Sequence, residues 1–195
     1  MPHQHGGDDL SRREFLAVAA LVPLAPGVLS RRWLDAPSAA PGGGVEDVLI
    51  VQFSDDGKRV GPVRVPKVVK PEGEWQKQLS PLAFEVTRHA DTERSFSGAY
   101  WNLHEKGIFR CVCCDTALFS SAHKFDSGTG WPSYWQPIAA ENVVGPKKVS
   151  RTGDGTEATC RRCDAHLGDI FDDGPPPTGL RYCIDSVSLR FVKTA

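Results

Sequence analysis

Two Cys-x-x-Cys pairs constrain what this chain can fold into more tightly than any other feature. Cys111 and Cys114 bracket Val112 and Cys113, and Cys160 and Cys163 bracket Arg161 and Arg162. Each spacing brings two thiolates within reach of one tetrahedral zinc, and two such turns complete a closed four-sulfur site. Forty-five residues lie between the pairs, more than in a zinc ribbon, so the pairs must sit on separate loops that the fold brings together. Two disulfides are the competing reading, favoured by an oxidising compartment. The aspartates that follow each pair, Asp115 and Asp164, suit the turn of a metal knuckle. A redox-active pair would open a helix after a strand, and neither pair is so placed. Cys113, inside the first knuckle, is read as a bystander beside the metal, with a redox role as the alternative.

The sixth cysteine stands apart, in Arg181-Tyr182-Cys183-Ile184-Asp185. Arg181 to Val192 reads as one strand, in which alternate side chains share a face. Arg181, Cys183 and Asp185 would then project together, with Val187, Leu189 and Phe191 continuing that face into the core. A guanidinium two residues from a thiol favours the nucleophilic thiolate. A buried structural thiol is the plainer reading, but the flanking Arg and Asp do not suit a wholly apolar site.

Length and charge exclude several classes. With 195 residues, 40% of them hydrophobic and 24% charged, the chain has one domain's worth of core. A formal net charge of −1 provides no broad attraction for nucleic acid or an anionic membrane. Nineteen Gly and fifteen Pro point to strands and loops rather than long helices.

Residues 1–44 read as an export signal and flexible linker. Ser11-Arg12-Arg13-Glu14-Phe15-Leu16 resembles a bacterial twin-arginine signal, and an apolar stretch from Phe15 to Leu29 follows, too short and proline-broken to span a bilayer. The mature chain is thus expected outside the cytoplasm, although Arg31 and Arg32 could slow processing. Residues 45–70 read as a hairpin-like extension: a strand from Val45 to Phe53, a turn at Ser54-Asp55-Asp56-Gly57, and an edge strand interrupted by Pro62 and Pro66. Residues 71–195 form the main domain, opening with two short helices divided at Ser80-Pro81, where Ser80 caps the second.

Several runs, in order, resemble the methionine sulfoxide reductase B family. They are Phe96 to Tyr100, Phe125 to Ser133, Cys160 to Gly168, Phe171 to Pro175 and Thr178 to Cys183. The resemblance implies a mainly β fold, antiparallel, with one structural zinc remote from a pocket that reduces the R epimer of methionine sulfoxide. It makes Cys183 the catalytic cysteine, Arg181 the arginine before it, His166 the first of two pocket histidines and Trp131 the contact for the substrate methyl. Cys111, Cys114, Cys160 and Cys163 become the zinc ligands. Oxidised proteins are the implied substrates, with a thiol reductant such as a thioredoxin-like protein. A monomer without stable membrane insertion or nucleic-acid partner is expected.

Three positions depart from the family pattern. Asp169 stands where a second histidine is usual, Asp185 where an asparagine is usual, and Thr129 where many members carry a resolving cysteine. The proton donor is therefore open among Asp169, His166 and Asp185. Asp169, with its pKa raised by desolvation against Trp131, is one expectation; orienting His166 is its alternative. A catalytically silent zinc-fold binding module is the rival reading of the whole chain.

Overall fold

The computed structural model describes residues 46–145 and 155–195. The leader and its twin-arginine run lie outside the described residues, among which no helix is long and apolar enough to cross a membrane.

The described residues open with the antiparallel hairpin of β1 (Asp47–Phe53) and β2 (Arg59–Pro66). Buried Asn142 clamps this hairpin to the rest. Its side chain accepts from Val51 N–H at 2.7 Å and donates to the carbonyls of Val51 and Ala117. Two short helices follow, α1 (Glu72–Gln78) and α2 (Pro81–His89). Ser80 caps α2 as the sequence predicts, its Oγ accepting from Ala83 N–H at 3.2 Å, with Pro81 in the first turn. Loss of such a cap costs about 1 kcal/mol. Trp75 is the buried residue of α1, and Lys70 and Arg88 lie over its ring at 4.7 and 4.8 Å.

Nine further strands follow among the described residues: β3 (Gly107–Cys111), β4 (Ala117–Ser120), β5 (Lys124–Phe125), β6 (Ser133–Tyr134), β7 (Val143–Val144), β8 (Thr156–Cys160), β9 (His166–Phe171), β10 (Arg181–Ile184) and β11 (Leu189–Lys193). They form a three-stranded sheet, β11-β3-β4, and a six-stranded sheet, β5-β6-β10-β9-β8-β7, with every pair antiparallel. Fully buried Phe109, Phe119 and Tyr134 join the sheets, Phe119 and Tyr134 stacking at 4.4 Å between ring centroids. Truncating such a core aromatic costs about 3–5 kcal/mol.

The expected strand from Arg181 to Val192 is two strands, not one. A 3-10 turn at Ser186–Ser188 breaks it, so β10 belongs to the six-stranded sheet and β11 to the three-stranded one. Val187, Leu189 and Phe191 therefore do not extend the face of Cys183. The break has a chemical cause: the buried Glu93 side chain accepts from the N–H groups of Ser186 and Val187, at 2.6 and 3.1 Å, and so holds the turn.

Candidate active site and metal centre

The two knuckles are built alike. Each is the tip of a β-hairpin: Cys111 ends β3 and Cys160 ends β8. In each, the aspartate after the second cysteine takes a left-handed conformation, Asp115 at φ 64° and Asp164 at φ 54°. Its N–H donates to the carbonyl of the first cysteine, at 2.9 Å in both. This geometry turns two side chains toward one point.

The four Sγ atoms lie within 4.8 Å of one another, with Cys111–Cys163 at 3.7 Å and Cys114–Cys160 at 3.5 Å. Four sulfurs about 2.3 Å from a tetrahedral zinc would stand about 3.8 Å apart, so the donor set fits that ion. All six cysteines are free thiols. Cys113 stands beside the cluster, its thiol against those of Cys111 and Cys163 and its Sγ 3.4 Å from Thr87 Oγ1. The Arg88 guanidinium donates to the Cys163 carbonyl at 2.9 Å and ties α2 to the second knuckle.

Cys183 lies on a different surface, in a cavity of about 140 Å³ lined by Thr92, Trp131, Gly168, Asp169, Phe171, Cys183 and Asp185. Register explains how these residues meet: β10 pairs with β9 so that Cys183 stands opposite Asp169, and with β6 so that Cys183 also stands opposite Ser133. Gly168, at φ 137°, lets the strands approach, since a Cβ there would lie 2.1 Å from the Cys183 carbonyl oxygen.

The electrostatics differ from the sequence expectation. Burial pushes the Cys183 thiol above its ordinary value; Arg181 and a 3.9 Å contact from Thr129 Oγ1 oppose this shift without reversing it. Arg181 is engaged elsewhere. Its guanidinium makes a two-pronged pair with Asp173, both contacts at 2.8 Å, and stacks 4.1 Å from the Phe171 ring centroid. That pair holds Asp173 below the usual carboxylate range.

Among the acids, Asp185 is the one that burial drives up, to about 7; the hydrogen bond from the Glu93 N–H opposes the rise, and the neighbouring Glu93 and Asp169 charges add to it. Asp169 is half-buried on the cavity wall and faces Glu157 across β8–β9. His166 does not line the cavity. It stands behind Asp185, with Nε2 4.0 Å from the carboxylate, while its Nδ1 lies 2.9 Å from Glu157.

The structure thus brings Cys183, Asp169, Asp185 and Trp131 onto one wall, with His166 and Arg181 one layer behind. Sequence reasoning missed Phe171, Thr92, Asp173, Glu157 and Glu93. The Asp173–Arg181 pair spans a loop closed by Gly174 N–H to the Gly179 carbonyl, and nothing local announces it. Glu93 had no signal beyond being an acid in a polar run.

The pattern of the SelR domain matches residues 79–193, which hold both knuckles and every cavity residue. The chain belongs to the SelR domain family. A relative from Herminiimonas arsenicoxydans, a peptide methionine sulfoxide reductase MsrB, is 55% identical over 130 residues, 66% of this chain and 93% of the relative. Another MsrB, from Thioalkalivibrio sulfidiphilus, is 58% identical over 116 residues, 60% of this chain and 85% of the relative. The chloroplastic peptide methionine sulfoxide reductase B1 of Oryza sativa is 56% identical over 122 residues, 62% of this chain and 56% of its own length.

Proposed function

We propose that this chain reduces methionine-R-sulfoxide in polypeptides to methionine, at the expense of an external thiol. One observation carries the reading: a single cavity sets the Cys183 thiol and the Asp185 carboxyl against the Trp131 and Phe171 rings. SelR membership and relatives named for methionine sulfoxide reduction support it.

A sulfoxide loses its oxygen readily only when that oxygen is protonated as the bond breaks. With the Cys183 thiol pushed up and Asp185 near 7, the pair holds one proton between them over the pH range that separates the two groups. Asp185 takes the thiol proton as Cys183 attacks the sulfoxide sulfur, then hands it to the departing oxygen. The oxygen ends on Cys183 as a sulfenic acid, and the substrate sulfur gains the two electrons that the cysteine sulfur loses. Two external thiols then restore Cys183, giving a disulfide and water. Trp131 and Phe171 supply the apolar grip for the substrate methyl. Arg181, locked by Asp173, fixes the base of β10 beside the nucleophile. Asp169 borders the mouth, and His166, held by Glu157, supports Asp185 from behind.

Zinc, held by Cys111, Cys114, Cys160 and Cys163, would supply a structural cross-link and no reacting group. Thr129 offers no thiol to Cys183, so recycling draws on an external reductant of the thioredoxin-like class. Export of a monomer by the twin-arginine route completes the reading, with residues 1–44 as signal and linker; replacing Arg12 and Arg13 by Lys should leave the protein in the cytoplasmic fraction. Activity on an R-sulfoxide peptide with dithiothreitol decides the main claim. Wild-type protein should produce methionine and Cys183→Ser none, whereas inactivity of the zinc-loaded wild type would leave the binding-module reading.

A further inference from the structure

Glu93 lies outside every motif that pointed to this site, yet it bonds to Asp185, to Trp131 and to the turn after β10. It is 2% exposed. Both side-chain oxygens accept from the turn after β10, from Ser186 N–H at 2.6 Å and Val187 N–H at 3.1 Å. Its own N–H donates to Asp185 Oδ1 at 3.0 Å, and its carbonyl accepts from the Trp131 indole N–H at 3.1 Å. One residue therefore fixes the proton-carrying carboxyl, the apolar wall and the turn that ends the nucleophile's strand. The surrounding loop is fitted to it, since a Cβ on Gly98 would stand 2.3 Å from both Glu93 Oε1 and Ser186 Oγ.

Resting on the reaction proposed above, we propose that Glu93 is a positioning residue of the reductase site, locking Asp185 and Trp131 in register with Cys183. Two backbone N–H groups bound to one side chain, that of Ser186 buried and that of Val187 half-buried, make the arrangement exacting. A glutamine there can accept from one of them, but its amide NH₂ would face the other. Glu93 also acts through its charge. The charged and titratable groups facing Asp185 are Glu93 from the loop before Phe96, His166 and Asp169 from β9, and Cys183, with Arg181 beyond it, from β10. Of these, the Glu93 and Asp169 carboxylates favour keeping Asp185 protonated, while His166 and the Glu93 N–H, which a side-chain substitution leaves in place, oppose them.

Glu93→Gln and Glu93→Asp separate the two effects when assayed as full-length zinc-loaded protein on an R-sulfoxide peptide with dithiothreitol. The Gln variant should lose about ten- to a hundredfold in kcat, the scale of a displaced catalytic group. Its acid limb, where Asp185 gives up its proton, should move to lower pH by at least about half a unit, because a like charge beside that carboxyl has gone. The Asp variant keeps the charge but cannot span both N–H groups, so kcat should fall while the limb stays near its wild-type position. A Gln variant with native kcat and an unmoved limb overturns the proposal. So does one that loses kcat with no limb shift, which would make Glu93 part of the general scaffold. If Glu93→Gln does not fold, Gly98→Ala pushes the carboxylate off the turn. A lower kcat with a limb displaced downward then supports the proposal, and wild-type values for both refute it. Wild-type inactivity would instead sink the reductase reading itself.

Discussion

The metal centre and the Cys183 cavity both depend on sulfur, and they are assembled in opposite ways. Each half of the metal centre comes from a few consecutive residues, the two knuckles repeat one backbone design, and three of the four thiols are buried. The cavity draws single residues from Thr92, Trp131, three positions on β9, Cys183 and Asp185, and it leaves Cys183 half-exposed. A local, repeated and closed arrangement makes a brace. A dispersed and half-open one, with burial raising both Cys183 and Asp185, makes a reactive site.

The sharpest way to break this division is to exchange the symptoms. Cys160→Ser should release zinc and lower the melting temperature by about 10 °C or more, because metal binding is coupled to folding; Cys183→Ser should leave both unchanged while abolishing turnover. Elemental analysis and thermal denaturation of the two variants check this. A Cys160→Ser protein with native zinc content and melting temperature would erase the distinction.

Asp185 tests whether reactivity is held at the expense of stability. Asp185→Asn removes the proton carrier and should lower turnover at least about a hundredfold. Its stability should respond in the other direction. In the wild type, burial raises the folded-state pKa to about 7, so the stability contribution of protonated Asp185 is intact below the ordinary carboxylate range and is lost as pH rises through about 7. Asn carries no such charge. Denaturant unfolding should therefore show the variant gaining on the wild type between about pH 4 and about pH 7, and holding its advantage above that. Equal pH dependence in the two proteins would refute a raised Asp185. Asp169→Asn should do least of the three: a fall in turnover of a few fold, with a small downward move of the acid limb, since its charge only adds to the rise at Asp185. A hundredfold loss in steady-state turnover would return the donor role to Asp169.

What could be read from the sequence follows the same line. The knuckles, the Ser80 cap and the β1–β2 hairpin depend on neighbours in sequence, and spacing and turn chemistry revealed them. The break at Ser186–Ser188 was illegible because its cause, Glu93, lies 93 residues away. Arg181 shows the same limit. Two residues from Cys183 it reads as an activator, but its partner is Asp173 and burial wins at the thiol. His166 was placed in the pocket by resemblance, while the register of β8 and β9 sets it behind Asp185.

The knuckles' outward aspartates also bear on how the chain reaches this shape. Asp164 pairs with Lys67 at 2.8 Å, just after the first hairpin, and Asp115 pairs with Arg190 on the last strand, so early and late parts of the sequence close on one point. Cys114 and Cys160 are 46 positions apart. A cross-link of that span removes about 4 kcal/mol of chain entropy from the unfolded state, by the reckoning used for disulfides. A metal captured early would thus draw two distant hairpins together before β9 finds its place beside β10. Loading the ion would then act on the unfolded chain as well as on the folded one.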